Sequence, residues 1–443
     1  MLTAATETAT FFDALRTREF SRLERQRHAY LDYTGSALYG ESQIRAHQEL
    51  LASGIFGNPH SDSAPSRAST DTLDAARELV LRFLGVDAST HDVVFTANAT
   101  GAIKLVAEGY PFTRDSACIL SSDNHNSVNG IREYARRAGA RVRYLPLDDE
   151  LRLREPETIL AEEAGRGGLV AFPAQSNFSG VRHPLSLVHF AHDLGYDVLL
   201  DIASYAPSQA ISLRDCPADF ATLSFYKLFG YPTGLGALVA RREALARLHR
   251  PWFAGGTVTY ASIGADTHRL RPRHEAFEDG TPNFLGAAAL PAGFALMDAV
   301  GLPRLSAHVA SLTALLLEEL RALRHVRIYG PANMTARGGA IAFNVCSRDG
   351  RPIPYTEVET RATRADISIR GGCFCNPGAA EAAFGLDSAR IADCFTTLGD
   401  TFTIDRFATC TGLAVGAVRV SMGMANNVED VRRVVEVVAG LIE

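Results

Sequence analysis

Lysine is almost absent from this chain. Of its 443 residues, 44 are lysine or arginine, and only Lys104 and Lys227 are lysine. Arginine serves as well as lysine for surface charge, but its guanidinium stays protonated and does not act as a nucleophile. A desolvated lysine amine, by contrast, can condense with an aldehyde. Because Lys227 lies in the largely apolar, glycine-punctuated stretch Ser224–Gly236, we expect it to be kept for its chemistry.

Other shortages exclude whole classes of protein. No apolar run reaches the roughly 20 residues of a membrane-spanning helix. The first ten residues lack the basic start and the apolar run of a secretion signal. The net charge of −6 argues against a surface for nucleic acid or for an anionic membrane. Seven thinly spread cysteines fit a reducing compartment better than a disulfide framework, so we expect a cytoplasmic protein that acts on small molecules.

Short apolar runs alternate with helical patterns from about residue 70 to 250. The predicted strands are 92–96, 117–121, 141–145, 168–172, 196–201, 218–223 and 236–240, and the helices between them include 127–138 and 185–194. This alternation predicts an α/β fold with a doubly wound, mostly parallel sheet. Ligands of such sheets collect beyond the carboxyl ends of the strands.

A second, smaller mixed α/β unit is predicted after about residue 290. Its predicted helices are 286–300, 303–323 and 428–442, and its predicted strands are 326–329, 340–345 and 413–421. We predict a large domain over 31–289 and a small domain formed by 1–30 together with 290–443.

Polar residues at the predicted strand ends suggest a phosphate and pyridine site near Lys227. Asp201 ends a strand and is interpreted equally well as the partner of a protonated pyridine nitrogen or as a helix cap. The turn 96–101 opens a helix, so its amides, including that of Ala99, and the Thr100 hydroxyl suit a phosphate. Further hydroxyls come from Ser224 and Thr281.

Two more strand-end residues complete this set. His125 could stack on an aromatic cofactor or transfer protons near pH 7, or it is simply a polar residue at a helix start. Asn177 could donate a hydrogen bond to a phenolate oxygen, or it is a turn residue. An aldehyde, a phosphate and a pyridine together describe pyridoxal phosphate.

Six phrases occur in the order seen in the class V, fold-type I pyridoxal-phosphate enzymes. They are Tyr30-Leu-Asp-Tyr-Thr-Gly-Ser-Ala-Leu-Tyr, Gly57-Asn-Pro-His-Ser, Phe95-Thr-Ala-Asn-Ala-Thr-Gly-Ala, Ser224-Phe-Tyr-Lys-Leu-Phe-Gly-Tyr-Pro-Thr-Gly-Leu-Gly, Phe277-Glu-Asp-Gly-Thr-Pro-Asn-Phe and Gly372-Cys-Phe-Cys-Asn-Pro-Gly-Ala. Over nearly its whole length the chain resembles the cysteine desulfurase branch, and in particular the aminotransferase-like domain of molybdenum cofactor sulfurases. The resemblance implies a seven-stranded large domain and a smaller mixed domain.

The resemblance also implies a role for each matching residue. Lys227 matches the lysine that binds pyridoxal phosphate as a Schiff base, and Asp201 matches the partner of the pyridine nitrogen. His125 matches the residue that stacks on the ring and transfers protons. Thr100 and Ser224 match phosphate contacts. For Asp201 and His125, the resemblance thus implies the cofactor role and not the role of a residue at a helix start.

Three further positions carry implied roles, and two depart from the desulfurase pattern. Asn177 matches the contact to the phenolate oxygen, and Arg419 matches the arginine that holds the substrate carboxylate in a bidentate fork. Thr281 matches a threonine that reaches the phosphate of the neighbouring subunit, which implies a homodimer. Ser204 and Tyr226 stand where many desulfurases have glutamine and histidine, so their cofactor contacts are not carried over.

A nucleophilic thiol would select the reaction, because pyridoxal phosphate alone permits several. Cys375 matches the sulfur-accepting cysteine on the mobile catalytic loop of the family, and Cys373 beside it is a candidate accessory thiol. The alternatives are a metal site at this Cys-x-Cys pair and, for the other cysteines, inert buried thiols. The expected inert thiols are Cys118, Cys346, Cys394 and Cys410.

The sequence therefore predicts an L-cysteine desulfurase that forms a persulfide on Cys375 and releases alanine, with no bound metal. The alternatives are another pyridoxal-phosphate reaction on the same scaffold, namely a carbon–sulfur lyase, an epimerase or an aminotransferase, and a catalytically silent scaffold. Full-length molybdenum cofactor sulfurases carry a further C-terminal domain, and this sequence ends soon after the matched region. The sulfur acceptor is thus left open between a partner protein, a thiolated natural product and a sulfur carrier.

Overall fold

The computed structural model describes residues 2–441, and side chains from residue 7 onward. The helices are α1 (Leu2–Glu19), α2 (Ser21–Gln26), α3 (Glu41–Ser53), α4 (Ala64–Phe83), α5 (Ala99–Gly109), α6 (Asn126–Asn129), α7 (Ile131–Arg137), α8 (Pro156–Glu162), α9 (Leu187–Asp193), α10 (Phe225–Phe229), α11 (Arg242–Ala246), α12 (Phe284–Ala287), α13 (Leu290–Val300), α14 (Leu302–Ala322), α15 (Tyr355–Arg364), α16 (Pro377–Phe384), α17 (Ser388–Leu398), α18 (Ile404–Thr411) and α19 (Val428–Ala439). Single 3₁₀ turns lie at Arg273–Ala276 and Gly399–Thr401.

The strands are β1 (Ala29–Tyr30), β2 (His91–Thr96), β3 (Ala117–Ser121), β4 (Arg141–Leu145), β5 (Gly168–Pro173), β6 (Tyr196–Asp201), β7 (Phe220–Ser224), β8 (Gly236–Arg241), β9 (Val258–Ser262), β10 (Thr267–Leu270), β11 (Val326–Tyr329), β12 (Ala340–Val345), β13 (Ile367–Ser368), β14 (Arg370–Gly372) and β15 (Ala417–Ser421).

Seven strands form the large sheet, in the order β2-β8-β7-β6-β5-β3-β4. Strands β4, β3, β5, β6 and β7 pair in parallel, whereas β8 runs antiparallel to both of its neighbours. The central strands are buried along almost their whole length, as expected for a sheet covered by helices on both faces. The predicted mostly parallel sheet is therefore confirmed.

A four-stranded antiparallel sheet, ordered β11-β12-β15-β14, forms the second unit. The N-terminal segment packs against other elements of this unit. Strand β1 pairs with β13, and the ring of Phe12 stacks on that of His308 in α14 with a centroid distance of 3.7 Å. Arg16 also forms a buried ion pair with Asp430 of α19, at 2.6 Å. These contacts join the two chain ends, and the exact domain boundaries stay a prediction.

Several predicted elements are shorter or divided in the structure. The helix predicted at 127–138 is split at Gly130, the residue type with the lowest helix propensity apart from proline. The helix predicted at 286–300 is split before Leu290, because Pro291 occupies the first turn of α13. The strand predicted at 413–421 begins only at Ala417, because α18 continues to Thr411. Helix α14 begins in its predicted place, with Pro303 in its first turn. Position 442, the predicted end of the last helix, lies outside the described residues.

Within residues 2–441, no single helix is both long enough and apolar enough to cross a membrane. The bent pair Phe284–Val300 and Leu302–Ala322 meets that criterion only when the two helices are taken together, and they meet at 70°.

The cysteine prediction was wrong for three residues. Cys394 and Cys410 form a disulfide, because α17 and α18 pack as a helical hairpin that brings their Cα atoms to 5.9 Å. Cys346 is partly exposed, because it follows the last residue of the buried strand β12. Cys118 is buried as predicted, and burial raises its pKa to about 12.

Reduction of the Cys394–Cys410 bond should lower thermal stability. A disulfide that closes a loop of about 15 residues contributes roughly 3 kcal/mol by restricting the unfolded chain, and this bond spans 16 positions. We expect reductant to lower the Tm of the wild-type protein by several degrees, measured by calorimetry. The Cys394→Ser/Cys410→Ser protein should have the lower Tm throughout, and Cys346→Ser should keep the wild-type response. A wild-type Tm that is the same with and without reductant would contradict the prediction.

Candidate functional site

A pocket opens at the carboxyl ends of the parallel strands. The chain leaves β3, β5, β6 and β7 at this edge of the sheet, and each exit contributes polar side chains. The structure brings seven of the predicted site residues to its wall: Ala99, Thr100, His125, Asn177, Asp201, Ser224 and Lys227.

Lys227 lies on the short helix α10, directly after the end of β7. Burial lowers the pKa of its amine, which the Asp201 carboxylate opposes and the guanidinium groups of Arg419 and Arg370 reinforce. A lowered pKa increases the fraction of uncharged amine near neutral pH, and the uncharged form is the nucleophile. Lys227 therefore has the surroundings that its chemistry requires.

Hydroxyls and amides cluster where α5 begins. The Ser224 hydroxyl accepts a hydrogen bond from the amide of Ala99 at 2.8 Å, and the hydroxyls of Thr100 and Ser127 lie 2.7 Å apart. Asn98 caps the helix by accepting from the Gly101 amide at 2.9 Å. An eleven-residue helix that starts in such a cluster presents a partial positive charge and several donors to an anion.

His125 lies at the start of α6, on the pocket wall. Its Nδ1 accepts a hydrogen bond from the Ser127 amide at 3.1 Å, so the proton of the neutral ring belongs on Nε2. Burial lowers the pKa of His125, and the nearby charge of Lys227 lowers it further. The ring is thus neutral at pH 7, in a form that donates from Nε2.

Arg419 lies on β15, buried behind Asn177, and not in the first layer of the pocket. Its guanidinium donates to the carbonyl of Asn177 at 2.7 Å and to the Asp32 carboxylate at 2.9 Å. The other oxygen of Asp32 accepts from Arg370, at 2.6 and 2.8 Å. Arg419 Nε is buried without a partner among the described residues. One carboxylate is therefore shared by two guanidinium groups, which leaves this side of the site positively charged.

Cys375 is exposed, on the tight turn between β14 and α16. The turn is bonded to the pocket wall: the Asn126 amide donates to the Cys375 carbonyl at 2.7 Å, and the Asn177 side chain donates to the Phe374 carbonyl at 2.7 Å. Cys373 is half-buried beside it. The structure thus places an accessible thiol on a segment that is fastened to the residues surrounding Lys227.

Thr281, unlike Arg419 and Cys375, lies in a different depression and has no contact with the wall of the Lys227 pocket among the described residues. It lines a separate open depression with Lys104 and Trp252, and its hydroxyl accepts from Asn58 at 3.2 Å. This depression is larger than the Lys227 pocket. Its wall nevertheless lacks a desolvated nucleophile, because Lys104 is exposed and paired with Glu108.

Comparison with known proteins decides the family. The chain matches the aminotransferase class-V family over residues 29–434. It belongs to this family. The predicted membership is thereby confirmed.

Relatives within the class-V family include molybdenum cofactor sulfurases. That of Arabidopsis thaliana is 35% identical over 470 aligned residues, which cover 95% of this chain and 57% of the relative. Molybdenum cofactor sulfurase 3 of Aedes aegypti is 35% identical over 450 residues, with 95% and 57% covered. The chain therefore spans little more than half the length of these curated relatives.

Solved structures of two cysteine desulfurases share the whole fold. The apo cysteine desulfurase of Thermococcus onnurineus NA1 superimposes with a TM-score of 0.81 at 26% identity, covering 97% of this chain and 98% of that one. A cysteine desulfurase of Escherichia coli gives a TM-score of 0.77 at 23% identity, covering 98% and 99%, which is a likeness of fold alone. The predicted fold class is confirmed.

Pyridoxal phosphate, the cofactor predicted from the sequence, fits the residues present. A desolvated amine, a carboxylate at a strand end and a hydroxyl cluster at a helix N-terminus converge on one pocket, and they match its aldehyde, its pyridine nitrogen and its phosphate. For a metal, no group of three or more His, Cys, Asp or Glu side chains within residues 2–441 is placed to hold an ion. Nothing in the described residues therefore favours the metal alternative for the Cys-x-Cys pair.

Sequence reasoning missed several residues of the site. Gln175 and Ser127 line the pocket, although each resembles an ordinary polar loop residue in the sequence. Asp32 lies in a quoted motif, but nothing local shows that it pairs with Arg370 and Arg419, which are more than 300 positions away. The only available signal was that Asp32 lies in one of the six quoted motifs.

The amine of Lys227 should react at lower pH than an ordinary lysine. Because its pKa lies below the usual 10.5, reaction with acetic anhydride in cofactor-free protein should reach half its maximal rate below that pH. Mass spectrometry can follow Lys227 and Lys104 in the same sample, so the exposed Lys104 is an internal reference. If the rate of Lys227 acetylation reaches half its maximum at or above pH 10.5, the lowered pKa is contradicted.

Proposed function

We propose that the chain is a pyridoxal-phosphate-dependent cysteine desulfurase, which takes sulfur from L-cysteine as a persulfide on Cys375 and releases L-alanine. The observation that carries the proposal is the exposed thiol on a turn bonded to the wall of the Lys227 pocket. Membership in the class-V family and the similarity to a cysteine desulfurase and to molybdenum cofactor sulfurases support it.

Each contact to the cofactor is assigned to a residue of the pocket. The amine of Lys227 would bind the aldehyde carbon, and Asp201 at the end of β6 would pair with the pyridine nitrogen. The cluster of Ala99, Thr100 and Ser224 at the start of α5 would hold the phosphate. His125 and Asn177, also on the pocket wall, would contact the ring and its phenolate oxygen.

When bound, pyridoxal phosphate would supply an electron sink for the Cα of an amino acid, which labilises bonds at Cα and Cβ. The chain provides the remaining functions. Arg419 supplies the positive charge for the substrate carboxylate, helped by Arg370, since one shared carboxylate neutralises only one of the two charges. The uncharged amine of Lys227 accepts a proton at the reacting carbon, and His125 holds or donates one from Nε2.

The sulfur step belongs to Cys375. Its thiolate attacks the substrate sulfur, so that a new S–S bond forms while the Cβ–S bond of the substrate breaks. The electron pair remains on Cβ, which takes up a proton. Cys375 is left as a persulfide and alanine leaves, so the step consumes no external oxidant or reductant. Exposure of Cys375 then lets an acceptor reach the persulfide.

Loss of the Cys375 thiol should stop sulfur release without removing the cofactor. Purified protein with pyridoxal phosphate, L-cysteine and reductant should produce sulfide and alanine, and Cys375→Ala should lower both at least a hundredfold. The same variant should keep the visible absorbance of the lysine-bound cofactor, which Lys227→Ala should lose. Cys346→Ala is the matched control, because that thiol is partly exposed on another part of the chain.

Undiminished output from Cys375→Ala would refute the thiol assignment. Pyruvate and ammonia without persulfide would instead indicate a carbon–sulfur lyase, and a keto acid that depends on an added keto acid would indicate an aminotransferase. An isomerised amino acid would indicate an epimerase, and failure to bind pyridoxal phosphate would indicate a catalytically silent scaffold.

We further propose a homodimer in which Thr281 reaches the phosphate of the neighbouring subunit. Thr281 lies outside the pocket of its own chain, which supports a role in another copy. Large apolar side chains are exposed on the nearby segment: Trp252 is 54%, Tyr260 69% and Ile263 92% exposed. Such a concentration of exposed apolar surface is typical of a contact with another chain.

Complementation between subunits tests this arrangement. Thr281→Ala and Lys227→Ala should each weaken or abolish cofactor binding in homodimers. In a heterodimer of the two variants, one site combines an intact Lys227 from one subunit with an intact Thr281 from the other. Differently tagged, co-expressed subunits should therefore recover tight binding at one site per dimer, measured by absorbance. Absence of any recovery, or a monomer in sedimentation, would contradict the shared site.

The acceptor and the compartment stay predictions. A partner protein, a thiolated natural product and a sulfur carrier are the candidate acceptors, and the molybdenum cofactor sulfurase of Arabidopsis thaliana extends well beyond the matched region in length. Location in the cytoplasm is proposed from the sequence, although the disulfide between Cys394 and Cys410 removes part of its basis.

A further inference from the structure

The turn that carries Cys375 has an unusual backbone. Phe374 and Cys375 are consecutive residues with φ of 55° and 56°, in the left-handed region that side-chain-bearing residues avoid. Such conformations persist only where the surrounding structure imposes them. The sequence resemblance predicts a mobile loop at this position, which stays a prediction, and the structure describes a tight turn that is hydrogen-bonded to neighbouring segments.

Backbone bonds and packing constrain the turn. The Phe374 and Cys375 carbonyls both accept from the pocket wall, at 2.7 Å, as described above. The Phe374 side chain is buried, with its ring centroid 5.3 Å from that of Phe178 and 4.6 Å from the Arg419 guanidinium. Residues on both sides of the thiol are thus held against the elements that form the Lys227 pocket.

Asn376, the next residue, extends this attachment into the interior. Its side chain is fully buried, and its Nδ2 donates to the Asp123 carboxylate at 2.7 Å and to Asn177 Oδ1 at 3.0 Å. Its Oδ1 accepts from the Ala379 amide at 3.2 Å and thereby caps α16. A cap needs only this acceptor, and serine would serve as well. Capping therefore does not explain the hydrogen bonds that Asn376 Nδ2 donates to Asp123 and Asn177.

The Asp123 carboxylate is the common partner of Asn376, Ser176 and His183 in a buried hydrogen-bond network. Asp123 is fully buried, and besides Asn376 its carboxylate accepts from Ser176 at 2.7 Å and pairs with His183 Nε2 at 2.8 Å. Asp123 follows β3 and lies two positions before His125, so the same segment supports both the pocket wall and the cysteine turn. His183 Nδ1 is buried without a partner among the described residues, but every polar side-chain atom of Asp123 and Asn376 is hydrogen-bonded, and such bonding favours a rigid local structure.

We propose that Asn376 and Asp123 are positioning residues that hold the Cys375 turn in its left-handed conformation at the edge of the Lys227 pocket. The proposal rests on the proposed function in one respect, namely that Cys375 takes up the sulfur. The thiol then receives sulfur at a defined position at the pocket edge, where its exposure leaves it open to an acceptor.

The variant that isolates this role is Asn376→Ser, which keeps a helix cap but loses the donors to Asp123 and Asn177. We expect it to retain the absorbance of the lysine-bound cofactor and a KM for L-cysteine within threefold of wild type, while kcat for alanine falls at least tenfold. Asp123→Asn retains an acceptor for Asn376 and should lose less activity. Asn427→Ser, at the cap of α19, is the matched control and should keep the wild-type kcat.

A second readout does not depend on activity. In hydrogen exchange followed by mass spectrometry, peptides covering 123–130 and 371–385 should exchange at least tenfold faster in Asn376→Ser, because the amide of Asn126 loses its partner when the turn is released. Wild-type exchange in these peptides, or an equal loss of kcat in Asn427→Ser, would overturn the proposal. If wild-type protein makes no alanine from L-cysteine, the proposed function fails, and the exchange rates alone decide the positioning role.

Discussion

Parallel pairing of β3, β5, β6 and β7 is the constraint on which the site depends. The strands are buried along their length, so their polar neighbours are confined to the strand ends, and parallel direction gathers four carboxyl ends at one edge. His125, Asn177, Asp201 and Lys227 follow or end these strands, and they meet although about 100 positions separate the first from the last. A reversed strand would carry its polar end to the opposite edge.

This geometry explains which parts of the site could be predicted from the sequence. Asp201 and Lys227 were identifiable because each stands where an apolar run ends, and the direction of the strand follows from the alternation of strands and helices. Contacts between distant segments had no such signal. Asp123 and Asn376 are 253 positions apart, and neither lies in a pattern that indicates the other. The Cys394–Cys410 bond depends likewise on the packing of two short helices, which periodicity does not determine.

Element boundaries were the other limit. Pro291 and Gly130 divided helices whose apolar spacing continues across the break, so the local backbone preference prevailed over the pattern. Arg419 shows a further difficulty: the sequence indicated an anion-binding arginine, but its engagement by Asp32 follows from the junction of the N-terminal segment with β14 and β15. The charge of the site is thus a property of the assembled fold, in which two guanidinium groups share one buried carboxylate and leave a net positive charge.

The scarcity of lysine has a consequence for behaviour in alkaline solution. Guanidinium groups keep their protons to beyond pH 12, whereas lysine amines lose theirs near pH 10.4. The surface ion pairs here are almost all made by arginine, among them Arg143 with Glu162 and Arg132 with Glu133. Burial also raises the pKa of several tyrosines, including Tyr329 to about 12. The arginine ion pairs at the surface should therefore keep their charges up to about pH 11, where lysine pairs would lose theirs, whereas burial lowers the pKa of Arg337 to about 10.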